Sequence, residues 1–297
     1  FKQKTAYEIM PSLVGSEMCI RDSYSTCRLI LRVSKMRSTA EVNGQPIHYT
    51  DSGGNYPAVI FAHGFFLDHT MFDAQVEQLS NRFRCIAWDQ RGFGETPVTG
   101  PFSYWDSAQD AVALLDYLQI DQAAFVGMSQ GGFLSLRAAL TCTERVRGVV
   151  LIGSEAGINT VEEKEGYRQV FDQWQSNGPL GDVGQFVGNL LFGDPALTEK
   201  WLPVWESRDR SSLIHPVETL LSRDDITSRL SDIACPVLVI HGTDDVAITI
   251  DKAEIVVAAV PDCRGLVPVR GAGHSPNMTH PAEVNSALVQ FLDELAI

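Results

Sequence analysis

The stretch Ala123-Ala124-Phe125-Val126-Gly127-Met128-Ser129-Gln130-Gly131-Gly132 decides the reading of this chain. Its first residues form a short apolar run of strand type, and residues 130–142 follow a helical pattern. The string Gly127-x-Ser129-x-Gly131 lies at the junction. A serine in such an elbow occupies a strained turn, and the flanking glycines let strand and helix approach closely enough to present its hydroxyl. Composition alone would supply this string in a chain of such length on the order of one time in ten. Its weight comes from the strand–turn–helix setting, which makes Ser129 a candidate nucleophile.

Outward from the elbow the same rhythm repeats. The runs at 58–64, 84–90, 123–129, 148–154 and 236–242 each hold four to six apolar residues and end in Gly, Ser, Asp or a close neighbour. Continuous apolar strands are the mark of a parallel sheet buried on both faces. Amphipathic segments lie between them at 71–82, 104–119, 130–142 and 252–260, and a last helix is expected over 282–295 with Val284, Leu288, Phe291 and Leu292 on one face. Alternating strands and helices predict an α/β fold with a mostly parallel sheet flanked by helices. Ahead of this array, Asn43-Gly44 between two short alternating runs predicts a hairpin.

One interval is too long for a simple crossover. The roughly 80 residues between the runs ending at 154 and beginning at 236 carry helical patterns of their own, at 161–177, 183–192, 196–208 and 211–223. We read this as a helical cap inserted in the sheet, with core segments at 36–154 and 232–297 and the cap at 155–231. The interval holds Trp174, Trp201 and Trp205, three of the five tryptophans. These could form an apolar lid over the reacting centre, although packing between cap and core is the commoner role for any one of them.

The 297 residues are 44% hydrophobic and 20% charged, enough apolar content for a large core. The net charge of −14 disfavours nucleic acid and anionic membrane surfaces as partners. No run of about 18 apolar residues is present to span a bilayer. The six cysteines are scattered, without C-x-x-C or metal-ligand spacing, which predicts reduced thiols in a cytoplasmic protein and no metal site. Residues 1–35 stand apart. "KQKTAYEI" and "LVGSEMCIRDS" read like translated sequencing adapter, so this segment is expected to be non-native, with Met36 as the start.

A serine needs a base to take its proton, and the base needs a carboxylate to fix its tautomer. His274, in Gly271-Ala272-Gly273-His274, follows a short apolar run and precedes the last helix, so it sits on a loop at a strand end. The other six histidines lie in the hairpin, in strand-end turns, near helix starts or in the cap. For the acid, His241-Gly242-Thr243-Asp244-Asp245 offers two aspartates after a strand, and Glu155 offers a third carboxylate past the run ending at 154. Either aspartate could instead cap the following helix. The backbone N–H of Gln130 and that of Phe65, beside Gly64 in the loop after the run at 58–62, are candidate donors to an oxyanion. Phe65, Phe66 and Met128 would flank the reacting carbon.

From about Thr39 onward the chain resembles the α/β-hydrolase superfamily. The resemblance rests on His63-Gly64-Phe65-Phe66, "DQRGFGET" at 89–96, "GMSQGG" at 127–132, "HGTDD" at 241–245 and "GAGHSPN" at 271–277, in family order. It implies the α/β-hydrolase fold and a Ser-acid-His order along the chain. The family's G-x-x-D pattern selects Asp245 over Asp244, and Asp89 and Arg91 correspond to a structural loop. Serine at the elbow argues against relatives that attack with a carboxylate. The expectation is a cofactor-independent hydrolase using Ser129, His274 and Asp245 on a small-molecule ester or lactone. Two other readings remain open: C–C bond hydrolysis or cofactor-free haloperoxidation on the same scaffold, and a small-molecule receptor with vestigial turnover.

Overall fold

The computed structural model describes residues 36–176 and 178–295; the segment 1–35, read above as adapter-derived, lies outside them. The hairpin forms from Met36–Val42 (β1) and Gln45–Asp51 (β2). Asn43 and Gly44 both take positive φ, 49° and 71°, as a two-residue turn matched to strand twist requires. There follow Ala58–Ala62 (β3), Asp73–Leu79 (α1), Arg84–Trp88 (β4), Tyr104–Tyr117 (α2), Ala123–Met128 (β5), Gln130–Thr141 (α3) and Val146–Ile152 (β6). Four helices come next: Val161–Gln175 (α4), Gly181–Leu191 (α5), Pro195–Ser207 (α6) and Ile214–Leu221 (α7). The chain ends with Val237–Gly242 (β7), Ile250–Ala259 (α8), Cys263–Val269 (β8), Pro276–Thr279 (α9) and Pro281–Glu294 (α10).

The strands join in one sheet ordered β1-β2-β4-β3-β5-β6-β7-β8. Pairing is antiparallel at β1·β2 and β2·β4 and parallel from β4 through β8. Because side chains alternate along a strand, each central strand feeds both faces. Ile60 and Ala62 of β3 and Phe125 of β5 enter one core with Ala111 and Leu115 of α2, Leu134 of α3 and Val256 of α8. Val59, Phe61, Ala124 and Val126 enter the other, with Val76 of α1 and Val284, Leu288 and Phe291 of α10. That explains why the sequence shows unbroken apolar runs: a strand covered on both sides has no polar face to alternate with.

Two expected helices are shorter than their patterns. The Asp68 carboxylate accepts the Thr70 amide at 2.8 Å and opens a 3₁₀ turn at His69–Phe72 before α1 begins. Asp209 does the same for the Ser211 amide, so the pattern at 211–223 divides into a 3₁₀ turn at Arg210–Leu213 and then α7. Short side-chain caps compete with the backbone for its own bonds and reset the first turn.

Helices α4–α7 all lie between β6 and β7, and residues from α4, α5 and α6 join the same apolar cluster as Phe65 and Phe66, which follow β3. The insertion therefore packs over the carboxyl ends of the parallel strands, where open α/β sheets hold their ligands. No helix among the described residues is long and apolar enough to cross a membrane.

Candidate functional site

The elbow between β5 and α3 places Ser129 at φ 50°, ψ −117°, a left-handed conformation rare for a residue with a Cβ. Neighbours hold it there. The Ser129 amide donates to the Ile152 carbonyl at 2.9 Å, and its carbonyl accepts from the Ser154 hydroxyl and the Gly132 amide, each at 2.8 Å. The elbow closes only because its flanking residues are glycines. A Cβ on Gly127 would strike the backbone of Gly131, and one on Gly131 would strike the Ala62 carbonyl of β3. The result is a buried serine, 8% exposed, at the start of a helix whose first amides have no intrahelical acceptor. The Gln130 amide is the first of these.

His274 arrives on the loop after β8, buried, with its Nδ1 2.8 Å from Asp245 Oδ2. Asp245 sits after β7 and is fully engaged. Its Oδ1 accepts the Ala247 and Ile248 amides at 2.9 and 3.0 Å, and its Oδ2 also lies 3.3 Å from His241 Nε2. Burial alone would raise the Asp245 carboxyl. Electrostatic attraction to the His274 ring, hydrogen bonds from the two imidazoles and the Ile248 amide outweigh it and hold the group well below the usual carboxylate range. An ionised Asp245 on Nδ1 leaves Nε2 as the ring nitrogen that can take up a proton. Gly153 makes room for this pair: a Cβ there would lie 2.6 Å from the His274 carbonyl and 3.4 Å from Asp245 Oδ2.

The other two candidate acids have different partners. Asp244 accepts from the Thr243 hydroxyl at 2.9 Å. Glu155 lines the same cavity as His274 but pairs with Arg223, at 2.8 Å.

Ser129 and His274 line one cavity, together with Phe65 and Phe66. Gly64 brings the Phe65 loop against the elbow, since a Cβ on it would run into the Met128 sulfur and come within 3.6 Å of Ser129 Cβ. Much of the remaining wall comes from the insertion, chiefly Tyr167, Val170 and Phe171 of α4, Leu190 and Leu191 of α5 and Leu220 of α7, with Phe133, Ala247 and Ile248 from the sheet side. Phe65 packs on Phe171 with ring centroids 5.2 Å apart. Most of this surface is apolar, but Glu155, Asn159 and Arg223 add a polar patch.

Among the described residues, one group of metal-ligating type comes together, Asp68, His69 and Asp89. Its carboxylates are already used. Asp68 pairs with Arg208, and Asp89 accepts from His69 Nδ1 at 2.7 Å and from the Glu95 amide at 3.0 Å. The Arg91 guanidinium holds Asp110 at 2.6 Å, away from the cavity. Asp89 and Arg91 belong to the loop read as structural.

A family model described as alpha/beta hydrolase fold matches residues 57–281. The chain is an α/β-hydrolase. It is 26% identical over 262 residues to 3-oxoadipate enol-lactonase 2 of Acinetobacter baylyi, covering 86% of this chain and 96% of that one. The enol-lactonase structure from Burkholderia xenovorans superposes with a TM-score of 0.79 at 26% identity, covering 86% and 99% of the two chains. A thermophilic esterase from Thermogutta terrifontis gives 0.78 at 27% identity, covering 88% and 98%.

In this hydrolase several residues expected around the reacting centre lie elsewhere. Met128 is fully buried against Gly64 and does not line the Ser129 cavity, because alternation turns it into the sheet-side core. Trp174 and Trp205 border a separate, smaller pocket with Phe93 and Arg208, and Trp201 packs on Phe192 at 6.5 Å. Two of the tryptophans join insertion to core: Trp174 lies 4.3 Å from the Phe66 ring, and Trp205 Nε1 donates to the Phe66 carbonyl at 2.8 Å. The apolar wall facing Ser129 is built instead by Tyr167, Val170 and Phe171. These follow one face of a helix whose sequence is largely polar, a signal easy to pass over beside three tryptophans.

Proposed function

We propose that this hydrolase cleaves a small ester or lactone through an acyl-enzyme formed on Ser129, with His274 as general base and acid and Asp245 as its orienting partner. One observation carries the reading: a serine fixed at positive φ on the elbow shares a cavity with an imidazole whose Nδ1 is held 2.8 Å from a buried carboxylate. The kinship with an enol-lactonase and an esterase at 26–27% identity supports the substrate class.

In the proposed cycle Ser129 Oγ attacks the carbonyl carbon as its proton passes to His274 Nε2. The negative oxygen of the tetrahedral intermediate takes hydrogen bonds from the Phe65 and Gln130 amides, each worth about 3 kcal/mol in comparable sites. Collapse breaks the bond to the leaving oxygen, which takes the proton from His274. Water then gives a proton to His274 and attacks the acyl carbon, and the second collapse returns the proton to Ser129 and frees the acid. Asp245 stays ionised throughout and stabilises the imidazolium. Residues 155–231 act as a cap that walls the cavity from solvent, over a core of 36–154 and 232–297, and the chemistry needs no cofactor.

A rapid burst of p-nitrophenol from a short-chain p-nitrophenyl ester, near one equivalent per protein, is expected from the native chain and not from Ser129→Ala. No burst and no turnover across a panel of esters and lactones would overturn the enzymatic reading in favour of a receptor.

A further inference from the structure

Glu155 is 3% exposed and lines the same cavity as Ser129, yet the cycle above gives it no task. Its position is tightly defined. The preceding residue, Ser154, hydrogen-bonds the Ser129 carbonyl at 2.8 Å, which fastens the loop after β6 to the elbow. Arg223 then fixes the carboxylate itself: Nη2 donates to Glu155 Oε1 at 2.8 Å. Three more of that guanidinium's five N–H groups are occupied. Nη1 donates to Asn159 Oδ1 at 2.6 Å and the Leu220 carbonyl at 3.0 Å, Nε to the Gly157 carbonyl at 3.1 Å, and the plane lies 4.6 Å from the Phe133 ring centre.

Glu155 Oε2 is left differently. Among the described residues its polar neighbour is Lys252 Nζ at 3.8 Å, and that ammonium makes its hydrogen bond to Glu163, at 3.2 Å. Oε2 thus keeps unfilled acceptor capacity, open to water or to a ligand, on a residue that lines the Ser129 cavity. Two cations already offset the charge of Glu155, so a third has little to gain there. A neutral donor does gain, because it completes the hydrogen bonds without bringing a charge that must be desolvated.

We propose that Glu155, held by Arg223, is a specificity-determining residue that accepts a hydrogen bond from a hydroxyl on the substrate, so that hydroxylated esters or lactones are preferred. This rests on the ester-hydrolase reading of the Ser129 site. The converse follows from the same geometry. A keto group in place of the hydroxyl offers only lone pairs, which face the carboxylate oxygen unfavourably. Sites built to bond a substrate hydroxyl reject the analogue that lacks the donor much more strongly than apolar pockets reject a methylene.

The test uses two matched pairs: p-nitrophenyl 3-hydroxybutyrate against p-nitrophenyl 3-oxobutyrate, and 2-hydroxypropyl butyrate against acetonyl butyrate. Each kcat/KM is divided by the rate of hydroxide-catalysed hydrolysis of the same ester. At least one pair is expected to favour the hydroxyl member by about tenfold or more. In Glu155→Gln an amide N–H₂ can turn to the cavity while the carbonyl keeps Arg223, and that ratio should collapse or invert. Reading a ratio within each protein removes any general loss of activity. If Glu155→Gln fails to fold, a native ratio near one in both pairs still overturns the proposal, as does an unchanged ratio in a folded variant. If no ester is turned over, the hydrolase reading fails separately. Equilibrium binding of the same pairs to Ser129→Ala still decides the hydroxyl preference, and equal affinities overturn it.

Discussion

Ser129 holds a backbone conformation that costs a residue with a side chain on the order of 1–3 kcal/mol, and it persists because Ile152, Ser154 and Gly132 all bond its peptide groups. The strain has a use, since it turns the hydroxyl out of the strand and toward the cavity. The proposed partner Asp245 works through charge. Its carboxyl is acidic beyond the ordinary range, so it contributes stability that is complete above the unfolded value near 4 and fades as pH falls through the lower folded value. Asp245→Asn should therefore show a shallower fall in Tm than the native chain as pH is lowered from about 5 to 3. At neutral pH it should lose kcat by roughly 10³–10⁴-fold, because the amide favours the wrong imidazole tautomer. Thermal melts across pH and steady-state kinetics check both, and full activity would remove Asp245 from the proposed triad. At this scale the motifs were legible. The choice among three acids needed the G-x-x-D resemblance, and the hydrogen bond at 2.8 Å is what separates Asp245 from Asp244 and Glu155. His241, which flanks Asp245 at 3.3 Å, was legible only as a histidine in a strand-end turn.

At the scale of elements, hydrophobic period found the strands and helices, and local side-chain chemistry set their ends. The 3₁₀ turns after Asp68 and Asp209 were missed because a cap two residues ahead resets a turn without changing the apolar pattern. The direction of a side chain from a helix is harder still to read. Trp174 and Trp205 were plausible cavity walls by composition, yet α4 and α6 turn them onto the Phe66 loop and each other, with ring centres 5.4 Å apart. Trp205 thereby ties the insertion to the loop carrying Phe65 and Phe66, the second of which is itself at φ 65°. Trp205→Phe removes the bond to the Phe66 carbonyl and leaves a buried acceptor unsatisfied. The expected cost is about 1–3 kcal/mol in stability by denaturant titration. If the Phe65 amide serves the oxyanion as proposed, kcat should fall while the Ser129 burst amplitude is kept. Unchanged stability and kcat would show that the tryptophan contact does not position the loop.

For the whole molecule, the sheet order, the site at the carboxyl ends of its strands and the insertion between β6 and β7 follow one plan, and most of that plan was legible from alternating apolar runs. The polar patch of Glu155, Asn159 and Arg223 was not, because it joins the loop after β6 to the end of α7, some 64 to 68 residues away, and no local pattern carries that contact. We propose that residues 1–35 are dispensable for folding and catalysis, since the family match begins only at residue 57. Protein starting at Met36 should melt within about 2 °C of the full chain, a shift equivalent to about 1 kcal/mol, with equal kcat/KM. A lower Tm or lost activity would assign residues 1–35 a role. The central claim is that Ser129 carries the acyl group. Native protein mixed with p-nitrophenyl butyrate, quenched in acid within the burst and digested should yield one butyryl adduct, on the peptide containing Ser129 and on its hydroxyl by fragment mass. Turnover of the ester with no adduct there, or with the adduct on another residue, would contradict it.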